Sequence, residues 1–473
     1  MLSFTLCLLA LIAGYFTYGK FIERIMGPDD RLTPVHTKAD GVDYVPLPRW
    51  KIFMIQFLNI AGIGPIFGAI LGAQYGEASF LWIVLGSIFA GGVHDFTAAM
   101  LCMRHGGESV PETVVRYLGK GMGVFMRWFS IILLVLVTAN FVANPAALLD
   151  NLTGGHLGVM AWVLIVFVYY TLAALLPIDK IIGKIYPVFA ASLLFMVIGL
   201  VVVLYLKMPD RTILPELWDG LGNRHPQAAT HPLFPMLFVS IACGAISGFH
   251  STQSPIMCRC VDKERHAYPI FYGAMITEGI VALVWAAVTI WLINSVPEGI
   301  TMKPAVVVNY LCNDWLGVVG GVLAVLGVIA APITSGDTAL RSARLVTADM
   351  LHIKQDKLKN RLPISLALYA VTLALLFFAV GNADGFNIIW RYFAWSNQTL
   401  ATIVLWTVTV YLYKRESPLP APPLGESSQP FGGRWAYLVT LIPAVFMTAV
   451  CLTYIFVAPE GIGGVFEILA DKL

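Results

Sequence analysis

Apolar runs of about twenty residues, separated by short polar connections, recur along the whole chain. A helix that crosses the hydrocarbon core of a bilayer needs about 20 mostly apolar residues, because each adds only about 1.5 Å of rise. The pattern predicts about twelve such spans, near 2–19, 52–76, 78–103, 122–145, 157–177, 185–207, 232–257, 267–296, 308–340, 362–381, 387–413 and 435–458. The longest polar connection, 20–51, leaves no room for a soluble domain. The first run, Leu2 to Tyr18, has the length of a signal-peptide core. No basic stretch precedes it, no small-x-small site follows, and Lys20, Arg24 and Arg31 come next, so a retained membrane helix is expected.

Composition agrees with this pattern. Of 473 residues, 58% are hydrophobic and 12% charged, and the mean hydropathy is +0.77. A soluble domain carries about 25% charged residues to solvate its surface, so lipid is the expected solvent and the expected class is an all-α polytopic membrane protein. A net charge of +2 gives a nucleic-acid partner no support. The seven cysteines are scattered mostly within apolar runs and do not read as a disulfide framework. Cys258, Cys260 and His266 match no common zinc spacing, so neither a metal nor a cofactor is expected. No pattern in the chain fixes an oligomeric state.

Basic residues orient the spans, because loops rich in Lys and Arg stay on the cytoplasmic side. With 20–51 cytoplasmic, 24 of the 30 Lys and Arg fall in alternate connections on that side. Both termini are then expected to be extracytoplasmic. Lys180 and Lys184 are expected to snorkel at the cytoplasmic edge.

Two spans are interrupted. The first contains Gly62-Ile63-Gly64-Pro65, and the second runs from Gly244 through Ser247-Gly248-Phe249-His250 to Gln253-Ser254-Pro255. Glycine removes the side-chain constraint and proline removes an N–H donor, so the helical ladder is open at both places. Open backbone survives in a membrane only inside protein or beside a wet cavity. Each segment alone reads equally as a kink with close packing. Their positions add weight: they are the second and seventh spans, five apart and opposite in direction. Broken helices at corresponding positions of two halves point to a transporter binding site. The arrangement predicts a first membrane helix at 1–19, two inverted five-helix repeats at 52–207 and 232–413, and a last helix at 435–458.

The chain resembles the carbon-starvation protein A (CstA) family, within the amino acid–polyamine–organocation superfamily. The resemblance rests on Gly62-Ile63-Gly64-Pro65, Gly92-Val93-His94-Asp95-Phe96, Gly244-Ala245-Ile246-Ser247-Gly248-Phe249-His250 and Gln253-Ser254-Pro255. It rests further on Thr334-Ser335-Gly336-Asp337-Thr338 with Arg341-Ser342-Ala343-Arg344, and on Trp395-Ser396-Asn397-Gln398-Thr399-Leu400-Ala401. The family resemblance implies uptake of pyruvate or small peptides across the bacterial cytoplasmic membrane during carbon limitation, driven by a proton gradient. The superfamily resemblance implies the LeuT-type 5+5 inverted-repeat fold, here with one extra helix at each end. The chain is shorter than the long family members, which continue with further C-terminal membrane segments.

Ionisable groups at membrane depth are costly and face a pathway or a partner. His94 and Asp95 lie about nine residues before Arg104, roughly 13 Å inside the cytoplasmic end. Adjacent on a helix, they are expected to diverge by about 100° and not to form a side-by-side dyad. They read either as a proton site or as interhelical pairing, with Arg104 one candidate partner. Glu278 sits mid-span with no basic residue near it in sequence, and reads as a proton carrier or as a protonated acid bonded across helices. Asp337 with Arg341 and Arg344 reads as helix-end charge pairing or as a gate. Thr334 and Ser335 read as capping of the kink at Pro332. The superfamily resemblance instead implies that Ala331, Thr334 and Ser335 complete a sodium site with carbonyls of the first broken helix. Oxygen ligands of this kind suit a hard cation.

For substrate, the expected ligands are backbone N–H groups at Gly62, Ile63 and Gly64 and at Ser247, Gly248 and His250, with side-chain polarity from His250, Gln253, Asn397 and Gln398. Asn397 and Gln398, at their depth, read either as hydrogen-bonding other helices or as meeting substrate, and Gln56, Asn59, Asn140 and Asn144 make the same kind of claim. No catalytic residue is expected, since neither a metal-ligand spacing such as His-x-x-x-His nor a nucleophile–base constellation stands in the chain. The leading reading is alternating-access symport of a small organic acid or peptide. Sodium-coupled transport of another small metabolite and a channel are the competing ones.

Overall fold

The computed structural model describes residues 1–39, 41, 44–175, 178–207, 214–296, 298–353, 355, 357–381, 385–414, 433–459 and 461–462, with the side chains of 171–185, 319, 323–325, 358, 385–387 and 434 outside that set. Lys180 and Lys184 therefore lie outside the described side chains. The described residues are helical throughout, apart from short connections and one isolated antiparallel bridge between Leu32 and Lys263.

Eight helices among them are long and apolar enough to cross a membrane: Leu2–Met26, Ala78–Arg104, Lys120–Leu152, Tyr186–Lys207, Glu264–Ser295, Gly320–Met350, Lys359–Gly381 and Leu438–Val457. A ninth span is the pair Arg49–Ile60 and Gly64–Ala73, bent by 46° where the sequence reads Ala61-Gly62-Ile63. The other expected spans miss the criterion for visible reasons. Val159–Leu175 is short, with 17 residues. The seventh expected span is split into Leu233–Leu237 with Phe238–Ser240 and, after an open stretch, Gly248–Cys258. Gly385–Lys414 is long, but Asn397 and Gln398 lower its hydropathy.

One helix is longer than its hydropathy suggests. Apolarity ends near Leu340, yet the helix runs from Pro304 to Met350, bent at Gly317, where φ is +67°. Pro332 does not end it. Asp337, Arg341 and Arg344 consequently lie inside a helix rather than at its end, on one face at spacings of four and three residues. The helix-end position expected from the sequence is therefore replaced by one inside the helix, where the three border a single small cavity.

The two broken elements meet at the middle of the molecule. A Cβ on Gly64 would strike the Cys243 side chain at 2.4 Å, and one on Gly68 would lie 3.0 Å from the Ser240 carbonyl. The first half-helix pair packs on Gly273–Ser295, and Gly248–Cys258 packs on Gly92–Arg104 and Gly385–Lys414. Glycine serves here for close approach between open backbones.

Candidate functional site

The second break leaves the carbonyls of its first part and the N–H groups of its second part without helical partners. Four side chains take them up. Trp82 Nε1 donates to the Ile241 carbonyl at 3.1 Å and Ser87 Oγ to the Gly244 carbonyl at 3.1 Å. Gln398 Nε2 donates to the Phe238 carbonyl at 3.2 Å. Asn397 Oδ1 accepts from Phe249 N–H at 2.7 Å, while its Nδ2 donates to Ser247 Oγ at 3.0 Å. Asn397 is an N-cap supplied by a different helix. A Cβ on Gly248 would lie 2.5 Å from the Asn397 carbonyl and the Ala401 nitrogen, so only glycine lets the capping helix come this close.

Read from the sequence as bonding either other helices or substrate, Asn397 and Gln398 are turned onto the backbone of another segment and bracket the break. Asn397→Ala leaves a buried N–H unpaired, which costs about 1–3 kcal/mol. The expected result is a lowered unfolding midpoint in detergent, with Asn397→Asp, which keeps the acceptor, closer to the native value. Equal midpoints for alanine and wild type would remove the capping role.

Just inside that cap lies a buried chain of ionisable groups. His250 stands on the first turn of Gly248–Cys258, Asp95 on Gly92–Arg104 and Glu278 on Gly273–Ser295, all fully buried. His250 Nδ1 donates to Asp95 Oδ2 at 2.8 Å, and His94 Nδ1 donates to Asp95 Oδ1 at 2.8 Å. His250 Nε2 is 3.2 Å from Glu278 Oε2, within ion-pair range but out of line for a hydrogen bond. The imidazole of His250 therefore spans two carboxylates on two helices. His94 and Asp95 do form a side-by-side pair, contrary to the divergence expected for neighbours on a helix. Their Cα–Cβ bonds diverge, but rotation about the side-chain bonds closes the gap between ring and carboxylate. Arg104 does not pair with Asp95; it is held by Glu264 at 2.9 Å.

Across the core, Ser335 Oγ lies 3.2 Å from the Leu58 carbonyl and 3.1 Å from the Asn59 carbonyl, the open end of Arg49–Ile60. Thr334 bonds back to Ala330 and Ala331 of its own helix. The side-chain amides of Gln56 and Asn59, on the same half-helix, are buried with no hydrogen-bond partner among the described residues. Gln253 is buried, donating to Thr252 Oγ1 at 3.1 Å and leaving its Oε1 without a partner. Asn140 and Asn144 donate to carbonyls one turn back in their own helix. Asp337 borders a small cavity with Arg341, Arg344 and Tyr369. Gly62 and Ile63 are buried in the first break, where Ile63 supplies the carbonyl that starts Gly64–Ala73.

A larger cavity of about 570 Å³ opens beside the far half of Gly248–Cys258, lined by Thr252, Arg259, Arg127, Ser342 and Asp349 among others. Arg104, which is not part of that lining, makes a two-pronged pair with Glu264 and also donates to the Met26 and Gly27 carbonyls and to Tyr411 Oη. Nothing local in the chain marks Arg104–Glu264, Trp82 or Ser87, because each partner lies far along the chain. Among the described residues no group of three His, Cys, Asp or Glu is arranged to hold a metal ion.

The chain has counterparts among known proteins. The solved structures it resembles include a manganese transporter of Eremococcus coleocola, with TM-score 0.60 and 14% identity over 88% of this chain and 90% of that one. MhsT in complex with L-phenylalanine aligns with TM-score 0.61 and 14% identity, over 88% of this chain and 99% of the other. At that identity the likeness shows a shared fold, that of LeuT-type proteins. In sequence, an uncharacterized membrane protein of Haemophilus influenzae is 44% identical over 335 residues, 61% of this chain and 90% of that one. The peptide transporter CstA of Campylobacter jejuni is 25% identical over 563 aligned positions, covering 93% of this chain and 77% of the relative. That of Bacillus subtilis is 31% identical over 360, covering 62% and 59%. The family model for carbon starvation protein CstA matches residues 1–160 and 147–321, more than half of the sequence, and the chain belongs to that family.

Proposed function

We propose that this protein is a secondary transporter that carries a small carboxylate, such as pyruvate, or a short peptide across the bacterial cytoplasmic membrane by alternating access, driven by protons. The observation that carries the reading is the buried chain Asp95–His250–Glu278 at the second break. One proton between His250 Nε2 and Glu278 Oε2 keeps the chain at a single net negative charge, whichever of the two holds it. Its release leaves two bare carboxylates on either side of a neutral ring, and unpaired charge inside a membrane protein costs several kcal/mol. Proton movement is thereby tied to rearrangement of the helix that carries His250. The CstA relatives bear transporter names, and the chain is read as a transporter rather than an enzyme.

The same reading takes the chain as twelve spans, with repeats at 52–207 and 232–413 inverted about the two breaks and both termini outside the cell. On that orientation the cavity of about 570 Å³ is a cytoplasmic vestibule, since Arg127 and Arg259 belong to loops on the basic side. A second reading has its own observation. Ser335 Oγ and the Leu58 and Asn59 carbonyls bring together three oxygens, the ligand type that a hard cation takes.

Uptake of labelled pyruvate and of dipeptides into proteoliposomes, under proton and sodium gradients imposed separately, decides between them. Accumulation under an inward proton gradient alone is expected. Accumulation under sodium alone moves the coupling to Ser335, and accumulation under neither gradient ends the symport reading.

A further inference from the structure

A groove of about 660 Å³ lies on the membrane-facing side of the first half-helix, away from the site above. Ile12 and Phe16 of the N-terminal helix form one wall, Phe53 of Arg49–Ile60 the other, and Gly273 the floor. Phe16 is 66% exposed and Ile12 42%, in a region where only lipid can solvate them. Gly273 leaves the floor open: a Cβ there would meet Tyr15 at 3.5 Å and Phe53 at 3.6 Å and would occupy the groove. The lining runs from Pro269 to Thr277 on one helix, about 12 Å of rise, against a leaflet core of roughly 15 Å.

Two features distinguish this groove from an ordinary seam between helices. The N-terminal wall and the floor helix each carry a wide π-turn, Tyr15–Gly19 and Tyr268–Tyr272, with Tyr15 and Tyr268 stacked at 4.9 Å between them. Such turns are rare and recur at functional places. At the mouth stand Trp50, 62% exposed, and Arg49. The Arg49 guanidinium has no hydrogen-bond or ion-pair partner among the described residues, whereas the nearby Lys20 is paired with Glu23 at 2.6 Å. An apolar slot of leaflet depth that ends on an unpaired cation complements one molecule in particular.

We propose that this groove holds the acyl chain of an anionic phospholipid, with its head-group phosphate on Arg49. The lipid would bear on the outer face of Arg49–Ile60, whose inner end is held by Ser335, and so link bilayer composition to the tilt of that half-helix. This does not depend on what the protein carries.

The test uses tryptophan quenching by brominated acyl chains. The full-length protein is placed in nanodiscs containing brominated phosphatidylglycerol or brominated phosphatidylcholine. A quenched emission component that disappears in Trp50→Phe is expected. It should need a roughly five-fold lower mole fraction of the anionic lipid, the factor for one basic residue against an anionic lipid surface. Arg49→Gln should bring the two curves together, Arg49→Lys should keep them apart, and Gly273→Leu should weaken both. Coincident curves in the wild type, a preference that survives Arg49→Gln, or no component lost in Trp50→Phe would each overturn the proposal. Arg49 is exposed, so its replacement leaves the fold intact and the comparison readable.

Discussion

Proton-driven accumulation, on the symport proposed above, is expected to fall by about 100-fold in Asp95→Asn, toward the upper end of the 1.5–3 kcal/mol that a hydrogen bond to a charged group contributes. Each oxygen of Asp95 receives an imidazole N–H at 2.8 Å, one from His94 and one from His250. An asparagine supplies one acceptor and one N–H2 group, so one of the two rings meets a donor with its own donor. The negative charge that holds His250 between two carboxylates is lost as well. Exchange of labelled for unlabelled substrate at equal concentration needs no net proton movement, and is expected to persist at a measurable rate. Initial rates of both processes in the same proteoliposomes separate the outcomes. If accumulation survives with exchange, Asp95 is an anchor for helix packing and the proton path lies elsewhere.

Glu264→Gln is expected to lower stability by about 3–5 kcal/mol, the penalty for leaving one member of a buried ion pair without its partner. The Arg104 side chain is 4% exposed and that of Glu264 is 1%. The guanidinium joins four places in the sequence: the end of the N-terminal helix through Met26 and Gly27, its own helix, the 258–266 connection through Glu264, and Tyr411. Glu264 is also the acceptor for Asp29 N–H at 3.0 Å. The double variant Arg104→Met with Glu264→Gln removes the stranded charge and should be less damaged than the sum of the single changes. Thermal unfolding in detergent, followed for both single variants and the double, measures that coupling. Strictly additive losses would show that the two residues act independently.

Much of the architecture was legible because a bilayer makes a severe demand on local sequence. Twenty apolar residues, or a glycine–proline interruption of them, can be read without knowing any partner. Both breaks stand where Gly62–Gly64 and Gly244–Gly248 placed them. The helix over 304–350 was read short because hydropathy reports contact with lipid, while its last turns are amphipathic and continue the helix beyond the apolar run. The site was legible only as a set of residue types. Asp95, His250 and Glu278 stood out as polar groups at membrane depth, but their order in a chain depends on how three helices cross. No local pattern encodes that crossing. Asn397 and Gln398 show the same limit from the other side, since their depth was readable and the backbone groups they hold were not.

The two breaks are unequally braced. Trp82, Ser87, Asn397 and Gln398 tie the second to two neighbouring helices on both sides of its opening. Among the described residues the first has one hydroxyl, that of Ser335, on its open carbonyls. A load applied across the molecule is therefore not shared evenly. The stapled break moves with its neighbours as one stiff block, and the lightly held one is the compliant joint, so the half-helix Arg49–Ile60 yields before Gly248–Cys258 does.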